Sequence, residues 1–244
     1  MADCTDPESL ALLTDSLRTT MAAASGAKLD AALAGLGWFD MLDEMPDLAV
    51  PLVFRLLGET GAHAPVLNDV MLRASGGAPG GRLALPFAGG SWVMWERDDG
   101  PTTALDGELP IHQVPQADPL PGAALGAGRL AVGWWLVGSG RAMLSLARRH
   151  ALDRVQFGRP IGSFQAIRHR LAETLVAIEG AEATLQAAPG APDDPGGLAA
   201  LLAKAASGQA ALTAARHCQQ VLGGIGFTAE HQLHRHIKRS LILD

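Results

Sequence analysis

The sequence has no tyrosine, and aromatic residues make up only 5% of its 244 residues. Alanine and leucine dominate instead, which favours helices over a β-sandwich. Cysteine is nearly absent: Cys4 and Cys218 form neither a ligand cluster nor a disulfide framework, and a reducing cytoplasm is the simple reading. Positive charge is in deficit, with 19 Lys and Arg against 25 Asp and Glu and a net charge of -6. That argues against nucleic acid as a partner, since such binders carry a basic face. A basic leader followed by an apolar core is also missing, because Met1 to Glu8 already carry two Asp and one Glu. The most apolar stretch, Leu120 to Leu146, is interrupted by Arg129 and Arg141 and holds six glycines, so no membrane insertion is expected. What remains is 48% hydrophobic and 18% charged, a composition that buries a core and is not disordered.

The chain divides into three parts by pattern: an N-terminal helical part (1–75), a short β-like segment (76–120) and a C-terminal helical bundle (121–244). Leu10, Leu13 and Leu17 recur at helical spacing, and the pattern continues to about residue 36 with a break at Gly26. Helices are expected at Leu48–Leu57, ended by Gly58, and at Val66–Leu72. The breaker cluster Gly76-Gly77-Ala78-Pro79-Gly80-Gly81 then changes the character. Short strands are expected at Arg82–Pro86, Ser91–Glu96 and Glu108–Val114, with a turn at Asp98-Asp99-Gly100-Pro101. Four helices follow, at about 122–157, 163–187, 198–222 and 229–243, joined by short loops that predict an antiparallel bundle.

Two stretches carry chemical information. The first is Arg154-Val155-Gln156-Phe157-Gly158-Arg159-Pro160-Ile161-Gly162-Ser163-Phe164-Gln165. It reads as a helix end at Gly158 and a helix start capped by Ser163, with two arginines able to grip an anion. On the residues alone, a well-capped helical hairpin with solvated arginines is the simpler reading. The second is Gln219-Gln220-Val221-Leu222-Gly223-Gly224-Ile225-Gly226-Phe227-Thr228-Ala229-Glu230. Its glycines close one helix and free the backbone for close approach to a ligand, while Thr228 can cap the next helix. It is not the dinucleotide fingerprint, because no strand precedes it. The histidines His231, His234 and His236 do not share one helix face, and no metal site is expected there.

Taken together, these words and the stretch from about Leu130 to Leu243 resemble the acyl-CoA dehydrogenase family. Leu36-Gly37-Trp38 and Leu56-Leu57-Gly58-Glu59-Thr60-Gly61-Ala62 resemble pieces of its first helical domain. The resemblance implies a mostly α fold: a C-terminal four-helix bundle with a reduced N-terminal helical part and a vestigial β segment. It implies FAD-dependent α,β-dehydrogenation of an acyl-CoA substrate, with FAD shared between neighbouring subunits of an oligomer. By the same resemblance Arg154 would contact the pyrophosphate, Phe157 would pack near the adenosine half and Gln165 would lie close by. Gln220, Gly223 and Gly224 would line the adenine and ribose side.

The departures are as informative as the match. The words that hold the flavin ring in the family, Thr-Glu-Pro and a Trp-Ile/Val-Thr/Ser-Asn/Gly word, are missing. Both of the family's positions for a catalytic Glu are empty: Gly128 precedes Arg129-Leu130, and the sequence reaches Asp244 before a Tyr-Glu-Gly word. Glu173, Glu179, Glu182 and Glu230 read as helix surface or capping. The expected role is therefore a non-catalytic partner that completes the FAD site of a full-length acyl-CoA dehydrogenase-like subunit. A self-sufficient enzyme with an unfamiliar base is a second reading. A non-redox assembly module, or a repurposed thioester-acting protein, is a third.

Overall fold

The computed structural model describes residues 6–97, 108–190 and 197–244. Cys4, the turn expected at Asp98-Asp99-Gly100-Pro101 and most of the loop between Pro189 and Gly197 lie outside them. The protein is mostly helical, as its composition predicts, and forms two compact units. One is Met1–Leu56 with Ala62–Ala131, the other Leu57–Gly61 with Val132–Asp244.

The first unit begins with five helices: α1 (Pro7–Ala23), α2 (Ala27–Gly35), α3 (Trp38–Glu44), α4 (Pro46–Thr60) and α5 (Val66–Ala74). Asp6 caps α1 by accepting the Ser9 N–H at 3.2 Å, and Pro7 occupies the first turn, where its missing N–H costs nothing. A three-stranded antiparallel sheet follows, ordered β1 (Ala84–Pro86), β2 (Trp92–Trp95), β3 (Ile111–Val114). Leu85 opposes Val93, and Trp95 opposes Ile111, so alternation puts these four buried side chains on one face.

A buried polar clasp fastens this sheet to the helices. Asp69 of α5 is fully buried. It accepts Trp38 Nε1–H at 3.0 Å and the Gly80 N–H at 2.7 Å, and pairs with Arg97. Arg97 also grips both oxygens of Asp30 at 2.8 Å and donates to the Gly81 carbonyl at 3.0 Å. Burial pushes the Asp69 carboxyl above the usual carboxylate range, while its hydrogen bonds and Arg97 pull it back.

The second unit is built on α6 (Gly122–Asp153), α7 (Gln165–Ala187), α8 (Leu198–Leu222) and α9 (Leu233–Leu243). Small residues on α6 let its neighbours approach closely. At Gly133 a Cβ would collide with Leu185 of α7 and crowd Ser207 of α8. One layer on, Gly140 faces Ile178 and Ala214 in the same way. The step is seven residues along each helix, forward on α6 and α8 and backward on α7, so α7 runs antiparallel to the other two. Burying Ile178 and Leu185 completely contributes about 1.5–3 kcal/mol each. The end of α9 folds back along α8, where Asp244 fills the space beside Gly208. By length and composition α6 and the stretch Leu198–Phe227 could cross a membrane. Two thirds of the apolar window of α6 is nevertheless packed inside the protein, as a core helix would be.

Four local expectations are corrected. Gly58 does not end a helix, since α4 continues to Thr60. A side chain at 58 would strike the Trp135 carbonyl and the backbone at Ser139, so this glycine serves a close helix crossing. The first bundle helix stops at Asp153 rather than near Phe157, and a short hairpin replaces its last turn. Ser163 does not cap α7: its hydroxyl donates to the Pro160 carbonyl, and Phe164 occupies the cap position. Thr228 does not cap α9 either. It donates to the Ile225 carbonyl, and α9 starts later, at Leu233, leaving Glu230 outside the helix.

Candidate functional site

Continuing the layer pattern along the bundle leads to the candidate site. Beyond the Gly140–Ile178–Ala214 layer, Thr174 Oγ1 and His217 Nδ1 lie 2.9 Å apart. Thr174 donates its own proton to the Arg170 carbonyl, so His217 is the donor in this pair. The same direction reaches the end of α6, the start of α7 and the end of α8 together. Both informative stretches therefore lie at one end of the bundle.

The first forms a hairpin of β4 (Val155–Gln156) and β5 (Arg159–Pro160), with Phe157 and Gly158 at its tip. Two positive φ angles, 53° at Phe157 and 77° at Gly158, mark a tight turn of the kind that suits hairpins. The hairpin is anchored at its base, where the Ile161 N–H donates to the Arg154 carbonyl at 2.8 Å. At Gly162 a Cβ would press on the Ala151 carbonyl at 3.0 Å. Phe157 meets Phe164 edge-on at 6.1 Å, and the Arg159 guanidinium stacks 4.2 Å above the Phe164 ring. Every residue from Leu152 to Pro160 is exposed, and Phe157 is 91% exposed. Gln165, the first residue of α7, is exposed as well.

The second stretch closes α8. Gln220 is exposed on its last turn. Gly223 ends the helix at φ 64° and ψ -139°, a backbone region restricted to glycine. The three glycines differ in purpose. A Cβ at Gly226 would lie 2.8 Å from the Gln219 carbonyl, so that glycine is required by packing within the turn. Around the Cβ positions of Gly223 and Gly224 there is open space, and Phe227 beyond them is 69% exposed. An open glycine backbone is what a ligand could approach closely.

Histidine and arginine side chains that sequence reasoning did not connect also meet here. His231 Nδ1 accepts the Leu233 N–H at 3.1 Å and so caps α9, while His234 donates from Nδ1 to the His231 carbonyl at 2.7 Å. Burial, followed by the positive charges of His150, Arg149 and His234, holds the His231 pKa below the ordinary imidazole range. His150 is likewise lowered, by burial and then by Arg154. Only the packing register of the bundle could have joined positions 149–150 to 231. Among the described residues no cluster of His, Cys, Asp or Glu is placed to hold a metal.

The carboxylates expected to be structural have structural partners or none. Glu179 and Glu182 bind Arg141, Glu179 at 2.9 Å. Glu173 and Glu230 lie exposed. Gly128, where a minority of the resembled family carries its base, packs on Met71, with a Cβ falling 2.7 Å from the sulfur. Trp134 and Trp135 are core residues, and Cys218 is a free, buried thiol whose pKa burial pushes up to about 12.

A family model described as acyl-CoA dehydrogenase, C-terminal domain, matches residues 120–244. Acyl-CoA dehydrogenase FadE34 of Mycobacterium tuberculosis (strain ATCC 25618 / H37Rv) is 35% identical over 191 residues, 69% of this chain and 26% of that protein. Acyl-CoA dehydrogenase IpdE2 of the same organism is 42% identical over 104 residues, 43% of this chain and 32% of that protein. The matched parts thus span 26% and 32% of these curated relatives' own lengths. Among solved structures, a chain of the Tcur3481-Tcur3483 steroid ACAD variant superposes with a TM-score of 0.74 and 21% identity, over 97% of this chain and 92% of that one. A chain of the ChsE4-ChsE5 complex from Mycobacterium tuberculosis gives 0.65 and 19%, over 99% of this chain and 93% of that one. At these identities the structures share the fold.

Proposed function

The chain belongs to the acyl-CoA dehydrogenase family, and from that premise we propose that it is the non-catalytic partner subunit of a hetero-oligomeric acyl-CoA dehydrogenase. In this reading it completes an FAD site whose other half, with the catalytic base, comes from a full-length sister subunit. The observation that carries the reading is the uncovered hairpin: a large aromatic residue in a left-handed conformation, 91% exposed, beside Arg154. A chain gains nothing from such a feature by itself, but an interface does.

The residues present fit the adenosine half of FAD. Arg154 supplies a guanidinium for the pyrophosphate, Phe157 an apolar ring, and Gln165 and Gln220 exposed amide groups. Gly223 and Gly224 leave the backbone open to approach. When bound, FAD supplies the hydride acceptor for α,β-dehydrogenation of an acyl-CoA thioester. Position 128 holds a glycine packed against Met71, and a side chain there would first have to displace that methionine. This supports a base donated by the other subunit, which must reach the substrate α-proton within hydrogen-bond range. Two of the structural neighbours carry paired names, Tcur3481-Tcur3483 and the ChsE4-ChsE5 complex, which supports a paired assembly for this chain as well. A free, buried cysteine accords with a cytoplasmic location.

The test is an absorption spectrum of the chain alone and after co-expression with full-length acyl-CoA dehydrogenases of the same genome. We expect flavin only in a co-purified complex, and its loss on Arg154→Ala. Flavin held by the chain alone would overturn the partner reading in favour of a self-sufficient enzyme. A complex without flavin would favour the assembly module.

A further inference from the structure

Thr174 and His217 join α7 to α8 beside the candidate site. Thr174 is fully buried, and its proton goes to the Arg170 carbonyl at 2.8 Å. Its oxygen is then left to accept from His217. That fixes the ring: the proton of the neutral imidazole sits on Nδ1 and the lone pair on Nε2. The ring is half-buried, and Nε2 meets no partner among the described residues and opens to solvent.

The register of the two helices says what His217 faces. Leu185 and Ser207 share one layer, Ile178 and Ala214 the next, and Thr174 and His217 the one after. Counting on in the same antiparallel register brings Leu171 level with the turn of Gln220 and Val221, and Arg168 level with Gly224. From the hairpin inward the seam thus presents Gln165, then Gly224 and Gly223, then Gln220, and then His217 one turn further along α8. In the partner-subunit reading the first four face the adenosine half of FAD, and His217 ends their row.

A bare imidazole nitrogen accepts a hydrogen bond and gives none, so it does not suit a phosphate. The exocyclic amino group of adenine is a donor that such a nitrogen can take. It lies at the end of the adenosine half away from the pyrophosphate, as His217 lies at the end of the row away from the hairpin. We propose that His217 takes the amino group of adenine on Nε2, and that Thr174 is the positioning residue that keeps Nε2 bare. The proposal rests on the partner-subunit reading and adds how the base is told from one without the amine. A site built to pair a donor rejects the analogue that lacks it.

The experiment uses the flavin-free complex of the full chain with the full-length acyl-CoA dehydrogenase that co-purifies with it. It is titrated with FAD and with deamino-FAD, which has a carbonyl oxygen in place of the amine, and flavin fluorescence gives each Kd. The wild-type complex is expected to hold FAD about fivefold more tightly than deamino-FAD, the worth of one hydrogen bond. His217→Asn keeps a donor for Thr174 and loses the outer acceptor. It is expected to weaken FAD by the same factor and to erase the preference. Thr174→Val, which frees the ring to carry its proton on either nitrogen, is expected to weaken FAD as well, and Thr174→Ser to restore it. Circular dichroism of each variant confirms the fold. A preference for FAD that survives His217→Asn unchanged would overturn this inference and leave the partner reading standing. A complex that takes up no flavin would overturn both. Flavin held by the chain alone would overturn the partner reading only, and the same titrations on the chain then decide for or against His217.

Discussion

Phe157 is held at φ 53°, where a side chain crowds its own backbone, and nine tenths of its surface faces water. The left-handed conformation costs roughly 1–2 kcal/mol for a residue of this kind. Its edge-on contact with Phe164 returns about 0.5 kcal/mol at so exposed a site. The isolated chain would thus do as well without it. Phe157→Asn, a residue that tolerates the left-handed region, is expected to leave the urea midpoint of the isolated chain unchanged or slightly raised. The same variant is expected to weaken the complex at least tenfold. A loss of more than about 1 kcal/mol in the isolated chain would show that Phe157 serves its own fold.

Among the elements, α9 depends on an unusual cap. The His231 ring accepts the Leu233 N–H through Nδ1, and a proton on that nitrogen would turn the acceptor into a donor. Burial and the neighbouring positive charges already hold the folded pKa below its ordinary value of about 6.5. The unfolded chain therefore binds this proton more readily than the folded one. The contribution is complete above about pH 6.5 and drains as pH falls through the lowered folded value. Hydrogen exchange of the α9 amides is expected to show less protection at pH 5.5 than at pH 7.5. His231→Asn, which can accept the same bond and cannot be protonated, is expected to flatten that dependence. This cap also explains what sequence could and could not say. The limits of Leu198–Leu222 were legible to the residue, because Gly197 and Gly223 bound its apolar periodicity on either side. The start of α9 was not, since an imidazole is no standard cap and Thr228 looked like one. Gly58 misled for a related reason: a glycine reads locally as a stop, and only the facing backbone of α6 gives it another purpose. The hairpin strands are two residues each, too short for alternation to register. The glycine word was legible as chemistry, but not which glycines serve packing and which stand open.

For the molecule as a whole, α4 and α6 each contribute residues to both units. The chain passes from one unit to the other within α4 and again within α6. Damage in the first unit should therefore be felt in the second. Arg97→Ala leaves Asp69 buried without its cation, a change that costs about 3–5 kcal/mol. Urea unfolding followed by far-ultraviolet circular dichroism and by tryptophan fluorescence is expected to give one coincident transition, shifted down by that amount. Two separated transitions would mean that the helices do not couple the units. The buried thiol of α8 offers a clock for the same event. Cys218 is buried, like Val221 and Leu222 further along the same helix, and at a pKa of about 12 it is almost wholly protonated at neutral pH. An alkylating reagent can capture it only while α8 stands away from its neighbours. The rate of its modification thus counts openings of the bundle, native molecule by native molecule, without any added label.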